Sequence, residues 1–494
     1  MTVERPGDAI PGRGGVSVTL KPRIAEALTG VIDAMKTYPY TCMEQKISVA
    51  VALRNEPLWK RWMSELPSHL DSEGLVKYFP SCTYGDPVLT SYIVAIGNEA
   101  GYSIPDEIKE RMETGLRGFV EGKVMRYTPL PTADLAIRKL AAIEALSRSG
   151  KAEPKLLGSI AIEANLWPTS AVIDWVNILQ RVQAIPSREQ RLREAEQILR
   201  ARLNFQGTTM GFSTEKTDAL WWLMISNDVN AVRVLLTLLH SEQWKEDIPR
   251  MVQGTLARQI RGAWDLTLAN AWGVLAIEKF SKAFETVPVT GSTRVTLGTQ
   301  SQQTDWQAAP KGKTSQFPWP RKGEELSLFH QGTGRPWGTI QSLAAVPLRE
   351  ALSSGYRIQK TIHPVEQRDP GRWNRGDIFR VRLELEAQAD QTWVVVSDPI
   401  PGGATILGGG LSRDSQLLTR GEERKGYVWP AYEERSFEAF RAYFEYVPKG
   451  KWTVEYTVRL NQSGAFQLPT TRVEALYFPE MFGEMPNKTV EVQP

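Results

Sequence analysis

The sequence predicts an α+β multidomain chain: an α/α toroid, that is, helical hairpins closed into a ring, followed by antiparallel β-sandwich domains. Three observations predict it. At 494 residues the chain exceeds what one compact core holds. Up to about residue 285 the apolar residues recur at helical spacing, and beyond it they alternate with a period of two.

Taken in order, residues 1–21 read as a linker and a first strand, with Val16, Val18 and Leu20 on one face. Residues 22–284 carry the helices. In "SREQRLREAEQILRARL", Leu192, Ala195, Leu199 and Leu203 form one stripe, with Ser187 and Gln190 as a capping box. In "WPTSAVIDWVNIL", Pro168 suits a first helical turn, and Val172, Val176 and Leu179 line one face. Similar segments lie near 88–100, 106–121, 132–148, 217–226, 229–241 and 267–283. Short connections favour antiparallel neighbours, which suit a toroid or a helical solenoid.

Residues 285–362 should complete a β domain begun by the first strand, with 300–323 a long polar loop, so that the helical region is an insertion. Residues 363–494 should form a further β-sandwich. There Phe379, Val381, Leu383 and Leu385 alternate with charges, as do Trp452, Val454, Tyr456, Val458 and Leu460 with polar partners.

The bulk numbers exclude several classes. The 59 basic and 56 acidic residues nearly cancel, and no basic run supports nucleic-acid binding. Two cysteines, Cys42 and Cys82, allow at most one disulfide. No apolar run reaches the length of a membrane span, and "MTVERPGDAIPGRGG" has no signal-peptide core. The four histidines show no metal-ligand spacing and read as surface residues, so neither a metal nor a cofactor is expected.

One stretch carries chemistry: "YPYTCMEQKISVAVAL", residues 38–53. Thr41 and Glu44 fit a capping box, which would put Cys42 at the first helical position and Gln45 one turn on. A cysteine at a helix N-terminus is biased toward thiolate, and side chains three apart are neighbours. Cys42 could therefore attack the Gln45 amide carbon, expelling ammonia and leaving an internal thioester. Such an acyl group survives only where water is excluded, and Tyr38, Pro39, Tyr40 and Met43 are the material at hand for a lid.

"YPYTCMEQ" resembles the thioester segment of bacterial α2-macroglobulins. So do "GRGGVSVTL", "GLVKYFPSCTYGDPVLTSYIVAIGNEAGYSIP", "NLWPTSAVIDW", "TDALWWLMI", "LANAWGVLAIEKF", "SDPIPGGA" and "RVEALYFPEMFGEMP", in the family's order. The resemblance implies a thioester toroid, a CUB-like β domain split around it, and a closing macroglobulin-like sandwich. It assigns the thioester to Cys42 and Gln45 and shielding to Tyr38, Tyr40 and Met43. A residue of the last domain would press on the bond, with Met481 the first candidate and Met485 the second.

The resemblance further implies an endopeptidase inhibitor of bacterial defence, acting once by covalently holding proteases through their amines rather than turning over. The family is periplasmic or cell-envelope, with an inner-membrane or cell-wall-synthesis partner conceivable by analogy. Full-length relatives add N-terminal macroglobulin-like domains and a bait region, so this chain looks like a C-terminal piece. Where some thioester proteins use a toroid histidine to relay the acyl group, "LLGSIAIEANLWPTS" has Asn165, which predicts direct attack by amines.

Two other readings fit the same fold class. One is a polysaccharide lyase or glycosidase using Asp134, Glu163, Asp174 and Asp218 with tryptophan platforms. The other is a structural module in which no thioester forms.

Overall fold

The computed structural model describes residues 1–128, 134–161, 163–320, 322–408, 422 and 428–494. The chain divides into two compact units, 1–347 and 348–494.

In the first unit the helices are α1 (Thr29–Lys36), α2 (Met43–Ala52), α3 (Glu56–Glu65), α4 (Pro87–Ala100), α5 (Asp106–Val120), α6 (Leu135–Ser147), α7 (Thr169–Arg181), α8 (Arg188–Arg202), α9 (Asn227–Leu238), α10 (Ile248–Leu256) and α11 (Thr267–Phe284). Neighbour contacts run α2–α4–α6–α7–α9–α11 and return from α11 to α2, so these helices close into a ring. A solenoid would leave its first and last helices unpaired.

Composition explains which helices lie inside. In α4, α7 and α11 nearly every position is buried, and these segments are apolar or small almost all round. In α3 only Trp59 and Met63 are buried, and in α8 only Ala195, Glu196, Leu199 and Arg202, so these form the outer layer. Close helix contact needs small residues. A Cβ on Gly273 of α11 would lie 2.3 Å from the buried Trp264 ring.

The strand Gly14–Lys21 lies between Lys313–Phe317 and Trp337–Ala344, antiparallel to both. A four-stranded sheet runs Thr2–Val3, Glu324–Gln331, Ser292–Leu297, Gln300–Asp305. Val16, Val18, Leu20, Val295, Leu297, Trp306, Phe317 and Leu326 form the shared core. The helical ring is thus inserted between strands that pair with one another.

Several local expectations are corrected. Residues 300–323 are not a loop, since they hold the strands Gln300–Asp305 and Lys313–Phe317. Their period was hidden because the inward positions include the buried polar residues Thr304 and Ser315. Segment 217–226 forms only the short turn Trp221–Leu223, which ends at Met224 in the left-handed region (φ 57°). Ser187 also takes a left-handed conformation and makes no side-chain cap, while Gln190 bonds Glu194 instead. Pro168 is the residue before α7 rather than its first turn. A hairpin absent from the sequence reading, Leu203–Gln206 with Thr209–Phe212, turns at Gly207.

The second unit has two main sheets that form a sandwich and a small third sheet of Trp373–Asn374, Val490–Gln493 and Gly464–Phe466. One sheet has the order Tyr356–Glu366, Ile378–Ala387, Gly450–Arg459, Thr405–Ile406. The other runs Leu352–Ser354, Phe478–Met485, Thr471–Ala475, Gln391–Pro399, Ala439–Val447, Tyr432–Arg435. The alternating residues read from the sequence, Phe379 to Leu385 and Trp452 to Val458, fill the space between. The strand Tyr356–Glu366 runs straight through position 362/363, where a domain break was expected.

His69 departs from the surface reading, being only 3% exposed. Burial, with Lys46 adding to it and the Glu65 carbonyl opposing it, lowers its pKa to about 4 from an ordinary 6.5. The unfolded chain therefore binds the proton first. Stability from this group is complete above pH 6.5 and is lost as pH falls toward 4. The urea midpoint should drop across that interval, and His69→Gln should flatten that part of the profile. Gly273→Ala should destabilise the first unit by about 1–3 kcal/mol, because the Trp264 ring has no room to move, and thermal unfolding reads this directly.

Candidate functional site

The buried N-terminus of α2 poses a local problem. Its first-turn N–H groups lack helical partners, and no water reaches Cys42, Met43 or Glu44, each 0% exposed. The sequence solves it with the cysteine and glutamine themselves. Cys42, extended at φ −65° and ψ 165°, is the N-cap, and Gln45 is the third helical residue. The Gln45 side chain turns back so that its Oε1 accepts the Cys42 N–H at 3.1 Å. The Cys42 side chain faces the Gln45 backbone N–H in return, completing a reciprocal cap.

This shifts the expected capping box by one residue. Thr41 is exposed and stands one residue before the cap. Glu44 instead turns into the ring, where its Oε1 accepts from Ser48 Oγ at 2.5 Å and from Thr267 Oγ1, on α11, at 2.8 Å. Ser48 Oγ also meets Tyr92 OH of α4 at 2.6 Å. One buried carboxylate therefore links α2 to both of its ring neighbours.

The leaving side of the amide points at Tyr38. Gln45 Nε2 donates to Tyr38 OH at 3.2 Å. The half-buried Tyr38 ring meets buried Tyr40 edge to face, with centroids 5.6 Å apart. The Met43 N–H, next in line, donates to the Tyr78 carbonyl at 3.0 Å. Tyr78 OH in turn reaches Met224 Sδ at 3.1 Å. The structure thus gathers Tyr38, Tyr40, Cys42, Met43 and Gln45 at one point. Tyr78 was not foreseen, because a backbone carbonyl leaves no signature in a side-chain pattern.

The loop carrying Tyr78 is held by Asp71. Its carboxylate accepts from the N–H groups of Glu73, Leu75 and Gly85 and from Arg126. Burial pushes the Asp71 pKa up, but these donors outweigh it and hold it below the ordinary value. Gly85 is required here, since a Cβ would fall 2.2 Å from the Leu75 carbonyl oxygen. Cys82 sits partly exposed in this loop.

Met481 and Met485 lie in the second unit. Met481 is packed into that unit's own core, against Gly355, and its Sδ accepts from Gln391 Nε2 at 3.1 Å. Met485 ends the strand Phe478–Met485 and is only partly buried.

Three of the four carboxylates of the carbohydrate-enzyme reading are engaged elsewhere. Asp134 pairs with Arg138 at 2.9 Å and accepts from Trp222 Nε1 at 3.0 Å. Asp174 pairs with Arg233 at 2.5 Å, and Asp218 accepts from Thr214 Oγ1 and the Thr169 N–H. Glu163 is exposed. Among the described residues, no group of three or more His, Cys, Asp or Glu is placed to hold a metal ion. No helix among them is long and apolar enough to cross a membrane.

Three comparisons with known proteins point in one direction. Residues 355–480 match the family described as the bacterial alpha-2-macroglobulin MG10 domain. An alpha-2-macroglobulin homolog from Nostoc sp. is 21% identical over 440 residues, covering 83% of this chain and 22% of the homolog. The chain therefore spans about a fifth of that relative's length. Among solved structures, native Escherichia coli alpha-2-macroglobulin from domain MG7 to the C-terminus superimposes with a TM-score of 0.70 at 17% identity, over 100% of this chain and 80% of that one. Salmonella alpha-2-macroglobulin reacted with methylamine gives 0.73 at 18% identity, over 100% of this chain and 33% of that one. A matched domain, a curated relative along most of the chain and a shared fold from end to end make this chain similar to the C-terminal part of bacterial alpha-2-macroglobulins.

Proposed function

We propose that this chain is the thioester-bearing part of a covalent, single-turnover protease trap. The observation that carries this reading is the Gln45 side chain folded back onto Cys42 in a pocket without solvent. Sulfur attack on Gln45 Cδ forms the thioester, and Nε2 leaves as ammonia past Tyr38 OH. Oε1 remains on the acyl carbon, so it still accepts the Cys42 N–H after the bond has formed. The cap of α2 thus persists through the chemistry.

Tyr38, Tyr40 and Met43 keep water from the bond. A lysine side chain of a captured protease would attack the acyl carbon directly, releasing the Cys42 thiol and leaving an amide. The target proteases, a bait segment elsewhere in a longer protein and a periplasmic or cell-envelope setting are parts of the same proposal. It draws on the resemblance to larger relatives. The Salmonella relative solved after reaction with methylamine names the reagent to use.

Methylamine should add to the purified protein once and expose one new thiol titratable by a maleimide. Neither change should occur in Cys42→Ala or Gln45→Ala, and labelling that survives either substitution would sink the assignment. Tyr38→Ala should shorten the lifetime of the bond in buffer at least about tenfold, while Tyr38→Phe, which retains the ring, should have a smaller effect. Equal lifetimes in all three proteins would remove Tyr38 from the shield.

A further inference from the structure

The second unit holds a different reactive arrangement, independent of the cysteine and glutamine. Lys360, on the strand Tyr356–Glu366, turns its side chain into the sandwich, where it is 7% exposed. Its Nζ lies 2.7 Å from Asp398 Oδ1 and 3.0 Å from Asn487 Oδ1. Asp398 belongs to the facing sheet and is fully buried. Asn487 follows the strand Phe478–Met485.

The walls of this pocket are aromatic or hydroxylic. Tyr456 OH donates to Asp398 Oδ2 at 2.5 Å, and the Tyr456 ring stacks on Phe440 at 4.4 Å. The Thr471 hydroxyl donates to Asp398 Oδ1 and has Asn487 Oδ1 at 3.3 Å. Asn487 Nδ2 donates to the Pro469 carbonyl at 2.6 Å and to Thr471 Oγ1 at 3.1 Å.

Lysine is rarely buried, and an ammonium withdrawn from water carries a large desolvation cost. A carboxylate alone would complete an ion pair. Here the same nitrogen also touches a carboxamide whose two ends are both held. We propose that Lys360 and Asn487 join in an intramolecular isopeptide bond, with Asp398 as the catalytic proton carrier.

The steps balance. Asp398 takes one proton from the Lys360 ammonium, leaving a neutral amine. Its lone pair attacks Asn487 Cγ, and the carbonyl π pair moves to Oδ1. With Asp398 protonated, the Thr471 hydrogen can turn from the carboxylate to the new oxyanion. Asp398 then delivers its proton to Nδ2 and takes one from Nζ. The Cγ–Nδ2 bond breaks, the carbonyl reforms, and ammonia leaves with the last proton as ammonium. No oxidant or cofactor is needed. The bond would close nearly the whole second unit into one covalent loop, which restricts the unfolded chain as a long-range disulfide does.

The test uses the full chain in a Cys42→Ala background, where no thioester can form. Its intact mass should be one ammonia below the sequence mass, and tryptic digestion should yield one branched peptide joining Lys360 to Asn487. Lys360→Arg and Asn487→Ala should each restore the sequence mass, and Asp398→Asn should do so with both reacting residues present. Lys360→Arg alone should also lower the unfolding midpoint by several degrees. With Cys42 intact, Lys360→Arg isolates any ammonia lost to the thioester, so the two bonds are read separately. A Cys42→Ala protein at full sequence mass, with Lys360 and Asn487 in separate peptides, overturns the proposal. A protein one water lighter with Lys360 joined to Asp398 overturns it equally.

Discussion

A helix that begins where water cannot reach must bring its own hydrogen-bond partners. The first turn of α2 does so with three atoms: Gln45 Oε1 on the Cys42 N–H, the Cys42 side chain on the Gln45 N–H, and the Tyr78 carbonyl on the Met43 N–H. Removing any of them leaves a buried donor unpaired, at a cost of about 1–3 kcal/mol. The pairing that satisfies the backbone also holds the sulfur beside the amide. Structural need and chemical opportunity coincide here, and so the site can be built from a single helical turn.

The ring supplies the dryness. Its inner helices face one another closely enough to bury charges, which is tolerated only because each carboxylate meets cations or hydroxyls. Glu144 is the clearest case. Burial pushes its pKa up, but Arg148 and Arg181 overcome this and hold it at about 2. Glu99 bonds Arg148 and Lys279 in the same way. Glu44 does the equivalent work with neutral hydroxyls of α2 and α11, and so fixes the reactive turn to the wall of the ring. Asp134 and Asp174, two of the carboxylates of the sugar-cleaving reading, are held likewise by Arg138 and Arg233.

Much of this was legible in the sequence, for definable reasons. The helix-to-strand change was visible because α7, α11 and the strands of the sandwich carry strong apolar periods. The strand Gln300–Asp305 was not, since Thr304 and not an aliphatic residue faces its core. Residue type and spacing suggested pairing Cys42 with Gln45, and the resemblance of the surrounding segment assigned it. Its register was misread by one position, because Thr41 is the better N-cap by propensity while Cys42 holds the cap in a buried setting. Tyr78 and Asp71 contribute through backbone groups brought together by a loop, and neither spacing nor composition records that. The same holds for Lys360, Asp398 and Asn487, which are far apart in sequence and sit on strands whose apolar alternation masks a lone inward lysine.

Both proposed reactions use a side-chain amide held against a nucleophile in a dry pocket, and in each the departing group would be ammonia. Their chemistry then diverges through the acyl acceptor. A thioester keeps its carbonyl electrophilic, because sulfur donates weakly into it, so the bond proposed at Cys42 would store reactivity and would depend on Tyr38 to delay its release. An amide made by Lys360 is resonance-stabilised and has no comparable leaving group, so it stores nothing and serves only to hold strands together. The placement of each nucleophile suits that difference. Cys42 stands at a helix end beside a half-buried tyrosine, whereas Lys360 is enclosed between two sheets by Asp398, Tyr456 and Thr471, all fully buried.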